Sequence, residues 1–243
     1  MSLCLVSGFI DRSRYDLTPP LHPVEFYLQH GKAFLALPHR KVVFLEPHVA
    51  ELLQPELTAS PQCTVVPYAK EEMEFWTLRT QFLACPLPPG ANPAKDTHDY
   101  FLIMLNKIQW CLRAAALVPA AAYIWMDFGI NYILKETTLA EAAAGLSGAR
   151  LQPGHMRLPG CAPVYAPPHP AQLVWLFCGG LFGGDREALE RFAAGQADVV
   201  QHLLQQGVAT WEVTVWYHLC VGGGSAFMDW YHSDHNATML TRF

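Results

Sequence analysis

The sequence predicts an α/β fold: one domain carrying a mostly parallel, Rossmann-like sheet flanked by helices. Three observations predict it. First, short apolar runs such as Val42-Val43-Phe44-Leu45 and Ala121–Met126 show no polar alternation. Such continuity marks strands buried on both faces, as in parallel sheets. Second, segments with helical spacing separate these runs, and strands that alternate with helices pair in parallel through right-handed crossovers. Third, 51% of the 243 residues are hydrophobic and only 15% are charged, which is enough to bury a large core.

Taken in order, Ser2–Ile10 (Ser-Leu-Cys-Leu-Val-Ser-Gly-Phe-Ile) reads as a first strand ending in Asp11-Arg12-Ser13-Arg14. A strand that closes on Gly8 and polar residues commonly opens a nucleotide-binding sheet. A plain core strand with a polar loop fits the residues equally well. Pro23–Leu37 reads as a helix, Lys41–Leu45 as a second strand, His48–Leu53 as a helix and Cys63–Pro67 as a third strand. Glu71–Phe82 suggests a short helix, and Cys85–Ala94 is a proline-rich loop. Thr97 is placed to cap a long helix running to Val118, whose apolar face includes Phe101, Leu105, Ile108 and Trp110. Pro119 ends it, and Ala121–Met126 follows as a buried strand.

Leu139–Leu146 is an alanine-rich helix. Gln152–Pro170 has many prolines and no clear element, so it reads as a loop or lid. Leu173–Cys178 is expected to be a buried strand running into the loop Gly179–Gly184. Asp185 would then cap a helix over Arg186–Gln206, and Trp211–Leu219 is a strand or short helix.

The net charge of -5, without a cluster of lysine or arginine, argues against nucleic acid as a partner. Seven scattered cysteines (4, 63, 85, 111, 161, 178 and 220), none in C-x-x-C spacing, suggest reduced thiols in a cytoplasmic protein. Neither a signal peptide nor a transmembrane segment is expected.

Several residues are candidates for chemistry. Asp127 sits where the strand Ala121–Met126 ends, and open α/β sheets bind ligands at that end. It could equally cap a turn. Gly179, Gly180 and Gly183 belong to a G-G-x-x-G-G loop, which lets a ligand approach the backbone. This is neither a dinucleotide fingerprint nor a P-loop. Glu212 is a lone acid among apolar neighbours, suited to a general base or a nucleophile. His232 and His235 in the tail could add to a metal site at Asp127, leaving open positions for phosphate oxygens, or be plain surface residues.

Three stretches occur together in an order that resembles the HtrL/YibB-like, glycosyltransferase-like proteins: Leu105-Asn106-Lys107, Trp125-Met126-Asp127-Phe128-Gly129 and Gly179–Gly184. Ser7–Asp11 is similar to that family's opening strand and aspartate. The glycine loop and Trp211-Glu212 are also similar to the C-terminal half of the blood-group-type glycosyltransferases. Both resemblances imply a GT-A-like domain, with a nucleotide-binding half over residues 1–130 and an acceptor half over 131–243. They imply transfer of a sugar from a nucleotide sugar, most simply a UDP-sugar, to a saccharide acceptor, as in polysaccharide biosynthesis. Mn²⁺ or Mg²⁺ would assist, held by Asp127 with His235 or His232. Gly8, Asp11 and Arg12 would meet the nucleotide, and Lys107 the diphosphate. Glu212 would be the catalytic carboxylate, with Asp185 as its competitor. The usual Asp-x-Asp pair is incomplete here, because Trp125 and Gly129 flank Asp127. The alternatives are a nucleotidyltransferase using the same site, or a catalytically inactive sugar-binding member of the fold.

Overall fold

The apolar runs pair into one seven-stranded sheet. A computed structural model describes residues 2–16, 21–92, 94–149, 151–162, 170 and 172–243. The strands are β1 (Leu3–Phe9), β2 (Lys41–Leu45), β3 (Cys63–Pro67), β4 (Ala122–Met126), β5 (Met156–Gly160), β6 (Leu181–Gly184) and β7 (Met228–His232). Their spatial order is β3-β2-β1-β4-β6-β5-β7. β1 pairs in parallel with β2 and β4, β2 with β3, and β5 with β7. Among the described residues only β6 runs against its neighbours, β4 and β5.

Helices cover both faces. They are α1 (Val24–Leu35), α2 (Pro47–Leu52), α3 (Gln54–Thr58), α4 (Arg79–Ala84), α5 (His98–Leu105), α6 (Lys107–Leu117), α7 (Leu139–Ala143), α8 (Arg186–Gln205), α9 (Glu212–Val221) and α10 (Thr238–Thr241). Successive residues of a strand face opposite sides, so each strand feeds two cores. Cys4 and Val6 of β1 join a cluster with Trp110, Trp125, Phe182 and Trp216. Leu5 between them joins the other cluster, with Phe34, Ile124, Met126 and Met239. All five residues of β2 and of β4 are buried, which explains their unbroken apolar pattern.

Four expectations need correction. The long helix does not run unbroken to Val118: it divides at Asn106 into α5 and α6, although Thr97 caps it as expected and accepts from the Tyr100 N–H. Glu71–Phe82 is not one helix. It holds 3₁₀ turns at Lys70–Glu72 and Glu74–Leu78, and α4 follows. The segment 152–170 is not without structure, because β5 lies in it, paired with β7 from the far end of the chain. Its residues 163–169 fall outside the described ones. Finally, Leu173–Cys178 is not a strand. It is buried at Val174, Leu176 and Phe177 but makes only an isolated bridge, Phe177 to Gly160. The strand is instead the second half of the glycine-rich stretch, Leu181–Gly184. The ambiguous segment Trp211–Leu219 is helical, as α9. The seven cysteines are free. No helix among the described residues is long and apolar enough to cross a membrane.

Candidate functional site

The strand order reverses between β1 and β4. β2 and β3 lie on one side of β1, and β4 begins the other. Loops leaving two such strands diverge and open a crevice at their carboxyl ends. A cavity lies there. Gly8 to Arg12 line it from the end of β1, and Asp127, Phe128 and Gly129 from the end of β4. Ser7 Oγ donates to the Met126 carbonyl at 2.7 Å, tying the two strand ends together. Lys107, Gly179, Gly180, Glu212 and His235 also line it.

Local structure brings the charged groups together. At Asn106 the helix turns, and the Leu105 carbonyl accepts from Gln196 Nε2 of α8 at 2.8 Å. Gln196 is fully buried, and its Oε1 accepts from Trp216 Nε1 of α9 at 2.7 Å. A buried carbonyl freed by a helix break must find such a partner. Lys107 therefore opens α6 as a new first residue, and its side chain is 2% exposed.

The Lys107 ammonium has three acceptors. It lies 3.0 Å from Asp127 Oδ1, 3.0 Å from Glu212 Oε1 and 3.0 Å from the Gly179 carbonyl. An ammonium has three N–H donors, so all of them are used. Burial works against the charge on Lys107, but Asp127 and Glu212 outweigh it, and its pKa lies above the usual lysine value. Asp127 Oδ1 also accepts from Trp125 Nε1 at 2.7 Å. Glu212 opens α9, where the helix N-terminus favours a carboxylate. The triad carries two carboxylates and one ammonium, a net charge of -1. The outer oxygens, Asp127 Oδ2 and Glu212 Oε2, have no hydrogen-bond partner among the described residues.

Glycine at 179 leaves the Glu212 carboxylate its place. A Cβ on Gly179 would lie 2.5 Å from Glu212 Oε1. At Gly180 the nearest atom to such a Cβ is Asp127 Oδ2 at 3.5 Å, an ordinary contact. On β6, Gly183 lets β4 approach, since its Cβ would meet the Tyr123 carbonyl at 2.8 Å.

Of the twelve candidate residues, nine line this cavity: Gly8, Asp11, Arg12, Lys107, Asp127, Gly179, Gly180, Glu212 and His235. Three do not. Asp185 caps α8, accepting from the Ala188 N–H at 2.8 Å and the Gly154 N–H at 2.9 Å. Gly183 is sheet packing, and His232 is an exposed residue closing β7. Asp11 is held by Ser13 and His48. Arg12 is paired with Asp16 through Nε at 2.7 Å.

The residues present do not fit a resident divalent ion. Among the described residues no three His, Cys, Asp or Glu side chains converge to hold a metal. Of the expected ligands, His232 does not line the cavity, and Asp127 Oδ1 is already held by the Lys107 ammonium and the Trp125 indole N–H. Lys95, Tyr100, Tyr27, Tyr132 and Trp175 line the cavity too, and no motif or spacing marks them. Tyr132 and Trp175 are exposed at 49% and 44%.

No protein-family model and no curated protein matches this sequence. Among solved structures, the chain is similar to mouse xyloside xylosyltransferase 1 in its apo form, at 15% identity over 96% of this chain and 86% of that one, with a TM-score of 0.49. It is similar to a CMP:2-keto-3-deoxy-manno-octonic acid synthetase complexed with CTP, at 9% identity over 96% and 90%, with a TM-score of 0.46. It is also similar to a mannose-1-phosphate geranyltransferase from Thermus thermophilus, at 13% identity over 96% and 75%, with a TM-score of 0.44.

Proposed function

We propose that the chain is a glycosyltransferase that moves a sugar from a nucleotide sugar, with a UDP-sugar as the proposed donor, to a saccharide acceptor. The observation that carries this reading is the Asp127–Lys107–Glu212 triad facing a cavity at the β1/β4 reversal. Outer carboxylate oxygens in a half-enclosed site suit the hydroxyl donors of a sugar. Nucleotidyl transfer at the same cavity is the second reading, and the labelled product separates the two.

In this reading Asp127 Oδ2 accepts from hydroxyls of the donor sugar. The bond from the anomeric carbon to the diphosphate oxygen breaks, and the electron pair leaves on the diphosphate. The acceptor hydroxyl oxygen bonds to that carbon and gives up its proton. Glu212 Oε2 takes the proton if the configuration inverts; if it is retained, Glu212 supports the positive anomeric carbon and the proton passes to the departing diphosphate oxygen. Residues 1–130 form the nucleotide side and 131–243 the acceptor side, where exposed Trp175 offers a face for a sugar ring. The reading agrees with the resemblance to HtrL/YibB-like and blood-group-type transferases carried by Trp125–Gly129 and Gly179–Gly184.

The test is product analysis with a panel of labelled nucleotide sugars and saccharide acceptors. Label should pass to the acceptor with release of nucleoside diphosphate, and Glu212→Gln should lower kcat by about a hundredfold or more, the scale of one general-base contribution. Label appearing in a nucleotide product instead, or a Glu212→Gln enzyme as fast as wild type, would refute it.

A further inference from the structure

Resting on the reading of this cavity as a nucleotide site, a further question is which group meets the diphosphate. Lys107 is spent on its three acceptors. Arg12 faces Asp16, with Nε at 2.7 Å, and reaches Thr97 Oγ1 at 3.2 Å. Lys95 differs from both. It lines the same cavity, and its ammonium lies 5.5 Å from the centre of the Tyr100 ring. It has no carboxylate partner among the described residues. Its neighbour Asp96 is engaged elsewhere, by Trp211 Nε1 at 2.9 Å and the Asn92 N–H at 2.8 Å. His235 lines the cavity within electrostatic reach of both Lys95 and Asp127.

We infer that this site binds the anionic group of its ligand without a divalent ion: Lys107 supplies, as part of the fold, the positive charge between Asp127 and Glu212, and Lys95 is the cation left to meet the anion. A metal between two carboxylates does two jobs. It relieves their mutual repulsion and it contacts phosphate oxygens. Here the two jobs are divided. Lys107 does the first, buried and fixed by three acceptors. The second falls to a cation on the cavity wall whose donors are not committed to carboxylates. The division also accounts for Trp125 standing where a second aspartate would be expected: its indole N–H donates to Asp127 Oδ1 at 2.7 Å and takes a lone pair that a metal would use.

Calorimetric titration of UDP and of uridine, each in EDTA and in Mn²⁺, tests this. UDP is expected to bind in EDTA with an affinity within about threefold of that in Mn²⁺. Lys95→Ala should weaken UDP by about tenfold or more and leave uridine unchanged, because only the charged contact is lost. Mn²⁺ alone should leave the melting temperature of the wild type unmoved, yet raise that of Lys107→Met, in which both carboxylates are freed. UDP binding only with Mn²⁺, or a Lys95→Ala protein that binds UDP like the wild type, would overturn the inference while leaving the nucleotide reading intact. Failure of both UDP and uridine to bind in either condition would overturn the nucleotide reading itself, and this inference with it.

Discussion

A lysine that is almost wholly buried keeps its charge only where acceptors replace its lost water, and Lys107 has three of them. Removing it leaves Asp127 and Glu212 facing each other across a site of low polarity. Lys107→Met should therefore cost about 3–5 kcal/mol, measured by urea denaturation. The pH dependence has a definite sign. A lysine whose folded pKa is raised contributes stability in full below its unfolded value and loses it as pH rises through the folded one. The advantage of wild type over Lys107→Met should thus stay level across neutral pH and shrink only above the ordinary lysine value of 10.5. An advantage that disappears between neutral and mildly alkaline pH would contradict the triad.

The glycines of the same site differ in a testable way. The Cβ of Gly179→Ala would lie 2.5 Å from Glu212 Oε1 and must displace that carboxylate. Gly180→Ala meets nothing closer than 3.5 Å. Transfer activity should fall about tenfold or more in the first, and hold in the second. Equal activities would mean that the position of Glu212 is unimportant.

At the scale of elements, the site rests on how α5, α6, α8 and α9 meet. Gln196 satisfies the carbonyl left by the break at Asn106 and also holds Trp216. Gln196→Leu would strand both buried partners and should cost about 1–3 kcal/mol in chemical denaturation. Asp185 belongs to this scale too. As an N-cap its replacement by alanine should cost about 1 kcal/mol and leave turnover at wild-type level. A large loss of kcat in Asp185→Ala would restore it as a catalyst.

The same elements show what a sequence makes visible. β1, β2 and β4 are legible because strands buried on both faces need unbroken apolar runs, while β3, a half-buried edge strand, is legible from its β-branched Thr64-Val65-Val66; β2 and β3 appear with the bounds expected of them. β5 is not legible. Met-Arg-Leu-Pro-Gly mixes a charge and a proline, and only its pairing with the distant β6 and β7 makes it a strand. Leu173–Cys178 misleads for the opposite reason: an apolar run can fill a core without joining a ladder. In the site, Asp127 and Glu212 stand out as acids beside apolar runs. That Lys107 lies between them does not, since the pair Lys107 and Glu212 is separated by 105 residues and the break at Asn106 has no glycine or proline to announce it. Lys95, directly after the proline-rich loop, is indistinguishable in sequence from a solvated lysine.

For the whole molecule, the proposed function rests on one site: the cavity at the β1/β4 reversal, with Asp127 on its wall, as the proposed donor site for nucleotide sugars. A fold with helices on both faces of a mostly parallel sheet offers such a crevice wherever strand order reverses. Nine of the candidate residues reach it from separate parts of the chain, from Gly8 to His235. The most direct measurement is a thermal-shift screen of nucleotide sugars against the wild type and Asp127→Ala. A ligand at a hundred times its dissociation constant should stabilise the wild type by about 2.7 kcal/mol and raise its melting temperature by about 5–10 °C. At least one nucleotide sugar is expected to do so, with the rise lost or greatly reduced in Asp127→Ala. No response to any nucleotide sugar, or an equal rise in both proteins, would contradict the claim.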